Sequence, residues 1–265
     1  MAYKYLAVER RNRVAVVTMT NPPYNFLRQG MVHELGLLFE RLAEDAAIGS
    51  VVLTGGVSGY FIAHADLDVV AATRSDNPQA RAGLALWHRT FAAIEASPRG
   101  VIAAVNGQAA GGGCELALAC DFRFVARGAR IGLLESQLGI LPGAGGTQRL
   151  TRLLGRGRAL ELMLEGRLCE ADEAVAIGLA HRACEPGRLL DEAIEYGERL
   201  ASRSPAAVRG IKRCVYEGGE LPFEEALRLE TEMFLATMET DWARERLRQA
   251  AACYASGHPP DWSAR

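Results

Sequence analysis

The chain has 265 residues, 49% of them hydrophobic, which is enough for one large domain or for one domain with an appendage. Because its net charge is only −2, we expect neither nucleic acid nor an anionic membrane surface as a partner. The six cysteines form no C-x-x-C pair and the five histidines show no ligand spacing, so free thiols are expected and no metal site is predicted.

The N-terminal half alternates between strand and helix patterns. Residues 1–13 carry charges with no apolar run behind them, which predicts an edge strand rather than a secretory signal and, with the free thiols, a cytoplasmic protein. Residues 57–70 read as a loop that runs into a helix start. The other elements follow as a strand at 14–19, a helix at 29–46, a strand at 50–56, a helix at 81–96 and a buried strand at 101–107.

In the second half, the predicted elements change near residue 170 from alternating strands and helices to helices alone. A helix is predicted at Gly111–Ala119, followed by short strands at 122–127 and 130–134 and by a glycine-rich turn, 138–150, that leads into another helix. Beyond Glu170 hardly any strand signal remains, and four successive helices are predicted. We therefore divide the chain into a core with the active site, 1–201, and a C-terminal helical region, 202–265.

The stretch AAGGGCELALACD, residues 109–121, opens a helix on three glycines, although glycine is a poor helix former. A strand, a glycine turn and a helix together form an anion site, because free N–H groups point outward from the helix end. The spacing does not match the G-x-G-x-x-G dinucleotide pattern, and the later PGAGGTQ turn lacks the lysine of a phosphate-binding loop. An oxyanion hole is the other use of such a turn, since glycines let a carbonyl approach the backbone amides.

Two acidic residues accompany these turns. Glu115 follows the three glycines, and Glu135 lies in an apolar context twenty residues further along. A carboxylate at a helix N-terminus is also favoured by the helix dipole alone, so Glu115 has a purely structural explanation. Two carboxylates beside two amide-rich turns would suit proton transfer next to a carbonyl group.

Three blocks resemble the crotonase, or enoyl-CoA hydratase/isomerase, superfamily. FIAHADL (61–67) is similar to its F-x-A-G-A-D-L block, and the other two blocks are AAVNGQAAGGGCELALACDFRFVA (103–126) and IGLLESQLGILPGAGGTQRL (131–150). The resemblance implies an α/β fold, the crotonase (ClpP-like) spiral of β-β-α units, with a C-terminal helical trimerisation region. It also implies acyl-CoA thioester substrates, a homotrimer or dimer of trimers, and no cofactor besides the coenzyme A of the substrate.

The resemblance also assigns the site by position. The oxyanion hole would use the amides of Ala65 and Gly112. Glu115 would hold and activate water for attack at C3, and Glu135 would mainly deliver the proton to C2. Gly143 corresponds to a backbone position near that water.

Coenzyme A contacts are expected from the FIAHADL block and its surroundings. Ala63 would contact the adenine through its backbone, and His64, Leu67 and Arg28 are the other candidates. His64 stands where the family usually has glycine; it is either a tolerated variant or a residue that touches coenzyme A. Asp68 stands where several members have a lysine near the coenzyme A phosphates, a contact that Arg28 or an arginine of the C-terminal helices could replace.

The expected activity is an enoyl-CoA hydratase, a hydro-lyase that adds water syn to a 2-trans-enoyl-CoA to give 3-hydroxyacyl-CoA, as in fatty-acid β-oxidation. A Δ3,Δ2-enoyl-CoA isomerase or another acyl-CoA lyase of the superfamily is the first alternative. A non-catalytic CoA-ester-binding protein is a remote one, because both acids and both turns are present.

Overall fold

The computed structural model describes residues 3–74 and 76–262, which form a mixed α/β fold built from repeated strand–strand–helix units. The core elements are β1 (Leu6–Arg11), β2 (Val14–Met19), α1 (Gln29–Glu44), β3 (Ser50–Gly55), β4 (Tyr60–Ile62), α2 (Leu67–Ala71), α3 (Pro78–Glu95), β5 (Gly100–Val105), β6 (Gln108–Ala110), α4 (Gly112–Leu118), β7 (Phe122–Ala126), β8 (Arg130–Gly132), α5 (Gly146–Glu165), β9 (Cys169–Glu170), α6 (Ala171–Ala176), β10 (Arg182–Cys184) and α7 (Leu189–Ala201). A short 3-10 helix, Glu135–Leu138, precedes α5.

The strands form two sheets. The larger has the order β1-β2-β3-β5-β7-β10, and the smaller has the order β4-β6-β8-β9. In the pairs β3–β4, β5–β6 and β7–β8, the first strand joins the large sheet and the second joins the small one, whereas β9 joins the small sheet and β10 the large one. Since β5 is buried along its whole length, it reads as a continuous apolar run, which is typical of a central parallel strand. This arrangement confirms the expected spiral of β-β-α units.

The N-terminal strand lies where its charges predict. β1 is at one edge of the large sheet and pairs antiparallel with β2, from Leu6 opposite Met19 to Arg11 opposite Val14. After Leu6 its residues are exposed, so its charged side chains meet solvent at the edge.

The prediction of hardly any strand beyond Glu170 was wrong for β10, which pairs parallel with β7 through Arg182 opposite Phe124. Three strands of the small sheet, β4, β6 and β9, were also missed. Each of these four strands has only two or three residues, too few for an alternating or continuous apolar pattern to show.

The four predicted C-terminal helices are all present. α7 packs on β2, β3 and β5, whereas α8 (Pro205–Tyr216), α9 (Phe223–Met238) and α10 (Asp241–Ala255) extend beyond the sheets. α8 is tied to the core by Lys212, whose Nζ lies 2.7 Å from Asp121 Oδ2 in an ion pair that is nearly buried on both sides. None of the residues of α9 and α10 is buried. The boundary at residue 202 stays a prediction; α7 ends at Ala201 and α8 begins at Pro205.

Within residues 3–74 and 76–262, no helix is both long and apolar enough to cross a bilayer. Over the same residues, no group of three or more histidine, cysteine or acidic side chains is arranged to hold a metal ion. All six cysteines are free, and four of them are buried.

Candidate active site

Two of the three glycines at the start of α4 are required, one by its backbone conformation and one by a close backbone contact. Gly111 has φ +53° and ψ −120°, a conformation that side chains other than glycine rarely adopt. A Cβ on Gly113 would lie 2.2 Å from the carbonyl oxygen of Ile62 in β4. The unfavourable helix start therefore allows α4 to begin directly against β4 and the FIAHADL block.

The two predicted oxyanion amides, those of Ala65 and Gly112, lie together. Leu27 donates its N–H to His64 and accepts from Asp66, at 2.9 and 3.3 Å, so the Ala65 amide between them faces away from Leu27. A Cβ built on Gly112 would be 3.4 Å from the Ala65 nitrogen. Neither N–H donates to another group in the described part of the chain, which leaves both available to a ligand.

Glu115 is a buried carboxylate held by the glycine turn before α5. Its Oε1 accepts hydrogen bonds from the N–H of Ala144 at 2.7 Å and from that of Gly146 at 2.8 Å. Burial raises the pKa of Glu115 above its usual value, while the two amides and the nearby Arg149 act in the opposite direction. The turn thus fixes the carboxyl group and supports its ionised form within an apolar environment.

Glu135, at the start of the 3-10 helix, has its carboxyl group beside the same glycine turn as the oxyanion amides. Its Oε1 lies 2.9 Å from the position that a Cβ on Gly111 would occupy, and its Oε2 is buried without a hydrogen-bond partner among the described residues. Burial, with a smaller contribution from the charge of Glu115, raises the pKa of Glu135 to about 7. A buried oxygen without a partner is uncommon and is consistent with a role toward a ligand or water.

Gly143 lies in the turn that holds Glu115, but the amides that bond the carboxylate belong to Ala144 and Gly146. The carbonyl of Gly143 is bonded by His88 Nε2, at 2.8 Å. Sequence reasoning missed both amides, although a glycine-rich turn that opens a helix is itself a signal for free N–H groups.

The predicted coenzyme A contacts lie around the FIAHADL block. Ala63 is buried, and its carbonyl accepts from Gln108 at 3.4 Å. The Nδ1 of His64 bonds the carbonyl of Ala65 at 2.6 Å, and its ring stacks on Phe26 with centroids 4.7 Å apart. Leu67, the first residue of α2, is exposed.

Arg28 points to the same loop but is engaged within the chain. Its Nε lies 2.7 Å from Asp66 Oδ2, and the other carboxylate oxygen of Asp66 caps α2 by accepting from the N–H of Asp68. About half of the Arg28 side chain stays exposed, so its remaining donors are accessible.

The apolar spacing of the predicted helix 81–96 puts Trp87 and Phe91 on one side and predicts a core position for both. The structure places Trp87 against the start of α4 instead. It is half-buried, and its Cζ3 would lie 3.1 Å from a Cβ on Gly112, so the indole covers the start of α4. Its neighbour Phe91 is fully buried, as expected for core. The helical spacing placed both residues on one face but could not indicate where the core ends and the site begins.

Comparison with known proteins agrees with this geometry. A sequence model of the enoyl-CoA hydratase/isomerase family matches residues 9–265. The chain belongs to this family. The resemblance seen in the three sequence blocks is thereby confirmed over nearly the whole chain.

Individual relatives of the family match most of the chain. A short-chain-enoyl-CoA hydratase of Clostridium acetobutylicum is 36% identical over 91% of this chain and 92% of its own length. A crotonyl-CoA hydratase of Syntrophomonas wolfei is 37% identical over 88% of this chain and 90% of its own. The crystal structure of an enoyl-CoA hydratase from Bacillus anthracis superimposes with a TM-score of 0.87, at 34% identity, over 98% of this chain and 99% of that one.

Proposed function

We propose that the protein is an enoyl-CoA hydratase that adds water syn to a 2-trans-enoyl-CoA and forms a 3-hydroxyacyl-CoA, as in fatty-acid β-oxidation. The observation that carries the proposal is the pair of buried carboxyl groups beside the start of α4. Glu115 is anchored by two amides, Glu135 has a buried oxygen without a hydrogen-bond partner among the described residues, and the free Gly112 N–H is at the start of α4, the helix that carries Glu115. The relatives named as hydratases support the same activity.

The amides of Ala65 and Gly112 bind the thioester oxygen in this mechanism. When water attacks C3, electrons move from the C2–C3 double bond toward the carbonyl, and negative charge develops on that oxygen. Two preorganised N–H donors stabilise this charge, and the loss of one such donor costs about 3–4 kcal/mol in known oxyanion holes. The N–H of Gly112 is also the first N–H of helix α4. The positive end of the helix dipole therefore adds to the stabilisation of the charge on the oxygen.

The two carboxyl groups divide the proton transfers. Ionised Glu115 accepts a proton from water as the water oxygen bonds to C3, and neutral Glu135 delivers a proton to C2. The raised pKa of Glu135, about 7, supports this division, because a substantial fraction of the group then holds its proton near neutrality. Ionised Glu115 is favoured by the Ala144 and Gly146 amides.

Coenzyme A enters as part of the substrate, with Ala63, His64, Leu67 and Arg28 as its proposed contacts. The reaction adds water without a change in overall redox state, so it needs no other cofactor. A cytoplasmic location is part of the proposal and is supported by the six free thiols.

A homotrimer or a dimer of trimers is the proposed assembly. α9 and α10 contribute exposed apolar side chains that this chain does not cover, including Phe223, Phe234 and Leu235 in α9 and Trp242 in α10. Such surface is typical of an interface. Light scattering of the purified protein should give three or six times the chain mass; a monomer at micromolar concentration would refute this part.

A panel of substrates tests the proposed activity. The protein should hydrate straight-chain 2-trans-enoyl-CoA esters and should act much more slowly on 3-enoyl-CoA esters, as judged by separating the products and measuring their masses. Faster conversion of the 3-enoyl ester to its 2-enoyl isomer would instead identify an isomerase. Binding of both esters without conversion would identify a CoA-ester-binding protein.

A further inference from the structure

A single peptide group connects an exposed histidine to the proposed acid/base. The carbonyl of Gly143 is hydrogen-bonded to His88 Nε2 at 2.8 Å, and the N–H of the same peptide, on Ala144, donates to Glu115 Oε1 at 2.7 Å. Because a carbonyl oxygen can only accept, Nε2 must carry the proton. The order of donation therefore runs from His88 through the peptide to Glu115.

Hydrogen bonds that are linked in series strengthen one another. A donor on the carbonyl oxygen polarises the peptide and makes its N–H a better donor, an effect estimated at roughly 10–30% per bond. The stronger N–H favours the ionised form of the carboxyl group that accepts from it. His88 thereby supports the charge state in which Glu115 can accept a proton from water.

The other amide on Glu115 differs in this respect. It belongs to the Gly145–Gly146 peptide, whose carbonyl accepts the backbone N–H groups of Gln148 and Arg149 at 3.1 and 2.9 Å in the first turn of α5. That peptide is polarised by the helix itself. Of the two peptides that hold Glu115, only the one bonded to His88 therefore depends on a side chain for its carbonyl partner.

The surrounding charges fix the turn between α3 and α5. Arg149 donates to the carbonyl of Ala144 at 3.1 Å and forms a bidentate pair with Glu95, at 2.8 and 2.6 Å. Glu95 lies on α3, the helix that also carries His88. Glu115 lies on the inner side of this turn. The groove that His88 lines also carries other charged and titratable side chains, from α3, α5, α8 with the turn after it, and the segments around β7 and β10: Glu95, Arg149, Arg152, Arg156, Asp121, Arg123, His181, Arg209, Lys212, Arg213, Tyr216, Glu217 and Glu220.

We propose that His88 is a positioning residue for Glu115, acting through the Gly143–Ala144 peptide. The proposal rests on the proposed hydratase function. His88 does not contact the carboxyl group of Glu115, and in this proposal it does not contact the substrate. Its removal should leave substrate binding intact, weaken the hold on ionised Glu115 and slow the step in which that carboxylate accepts a proton.

Three variants test the proposal. His88→Ala removes the donor, His88→Gln places an amide N–H near the position of Nε2, and His33→Ala is a matched control on α1, where the histidine is exposed. For His88→Ala we expect kcat for crotonyl-CoA to fall about threefold with KM unchanged, and the acidic limb of the kcat profile to move to higher pH. His88→Gln should recover most of kcat, and His33→Ala should match the unaltered protein.

Two outcomes would overturn the proposal: an unchanged kcat and pH profile in His88→Ala, or an equal loss in His88→Ala and His88→Gln. Titration of the Glu115 carboxyl carbon by NMR in the resting protein, assigned with Glu115→Gln, separates this inference from the proposed function. A higher Glu115 pKa in His88→Ala supports the link even if the protein hydrates no enoyl-CoA, and an unchanged pKa refutes the link even if it does.

Discussion

Glu115 Oε1 accepts a 2.8 Å hydrogen bond from the N–H of Gly146, the first residue of α5. Since Glu115 itself lies in the first turn of α4, its carboxyl group is placed where the N-terminal ends of two helices meet. Both ends carry partial positive charge, which offsets part of the cost of burying the carboxylate. The structural explanation of Glu115 by helix dipoles and its proposed role as a base are therefore compatible.

The first prediction concerns the two carboxyl groups. Glu115→Gln and Glu135→Gln should each lower hydratase kcat by at least about 100-fold, because an amide neither accepts nor delivers a proton at neutral pH. Glutamine keeps the size of the side chain, and its oxygen can still accept from Ala144 and Gly146. Steady-state rates with crotonyl-CoA measure the effect, with circular dichroism as the check on folding. A folded variant with the original kcat would remove that residue from the mechanism.

The second prediction concerns stability and pH. The pKa of Glu135 is about 7 in the folded chain, against 4.5 for an unperturbed group. Between pH 4.5 and pH 7, the folded state therefore keeps a proton on Glu135 that the unfolded state has lost. The contribution of Glu135 to the free energy of unfolding is complete below about pH 4.5 and is lost as the pH rises through about 7. Glu135→Gln has no such loss, so it should exceed the unaltered protein in stability at pH 8 by at most about 3 kcal/mol.

Urea unfolding at pH 5 and pH 8, at one protein concentration, checks the sign. The stability advantage of Glu135→Gln must be larger at pH 8. An advantage that is equal at both pH values would show that Glu135 titrates normally in the folded chain.

The sequence predicted the elements with long patterns and missed those without them. The β1 edge strand lies where expected, and so do the four C-terminal helices. Both glutamates are buried, and their roles stay predictions. β4 and β10 were not predicted, because a strand of three residues is too short to show an alternating apolar pattern. Trp87 shows the same limit within the site: its position on the apolar face of α3 was readable, whereas its contact with Gly112 depends on how α3 crosses the start of α4.

The third prediction concerns His64. His64→Gly should change the affinity for a CoA ester about fivefold or more and kcat by less than about threefold. The ring bonds the carbonyl of Ala65, whereas the proposed oxyanion donor is the Ala65 N–H, which is oriented by the backbone bonds of Leu27 on either side. Calorimetry with the 3-hydroxybutyryl ester and steady-state kinetics separate the two quantities. Phe26→Leu, which removes only the stacking partner, is the control, and a large fall in kcat with unchanged affinity would contradict the prediction.

The fourth prediction concerns the start of α4. Gly113→Ala should destabilise the protein by more than about 2 kcal/mol, because the new methyl group would lie 2.2 Å from the Ile62 carbonyl and the backbone must move. Gly157→Ala is the control: this exposed helical glycine has open space at its Cβ position, so alanine should be neutral or stabilising by up to about 1 kcal/mol. Denaturant midpoints compare the two. Equal midpoints would mean that the approach of α4 to β4 is looser than the structure shows.

In the proposed mechanism, Glu115 and Glu135 together add water across an enoyl thioester. Its most direct test is to incubate the purified protein with crotonyl-CoA in ¹⁸O-labelled water, follow the loss of the conjugated enoyl absorbance and determine the mass of the product. We expect rapid loss, with one labelled water gained at C3, and no such gain in the Glu115→Gln, Glu135→Gln double variant. Persistence of crotonyl-CoA with the unaltered protein, or equal labelling by the double variant, would contradict it.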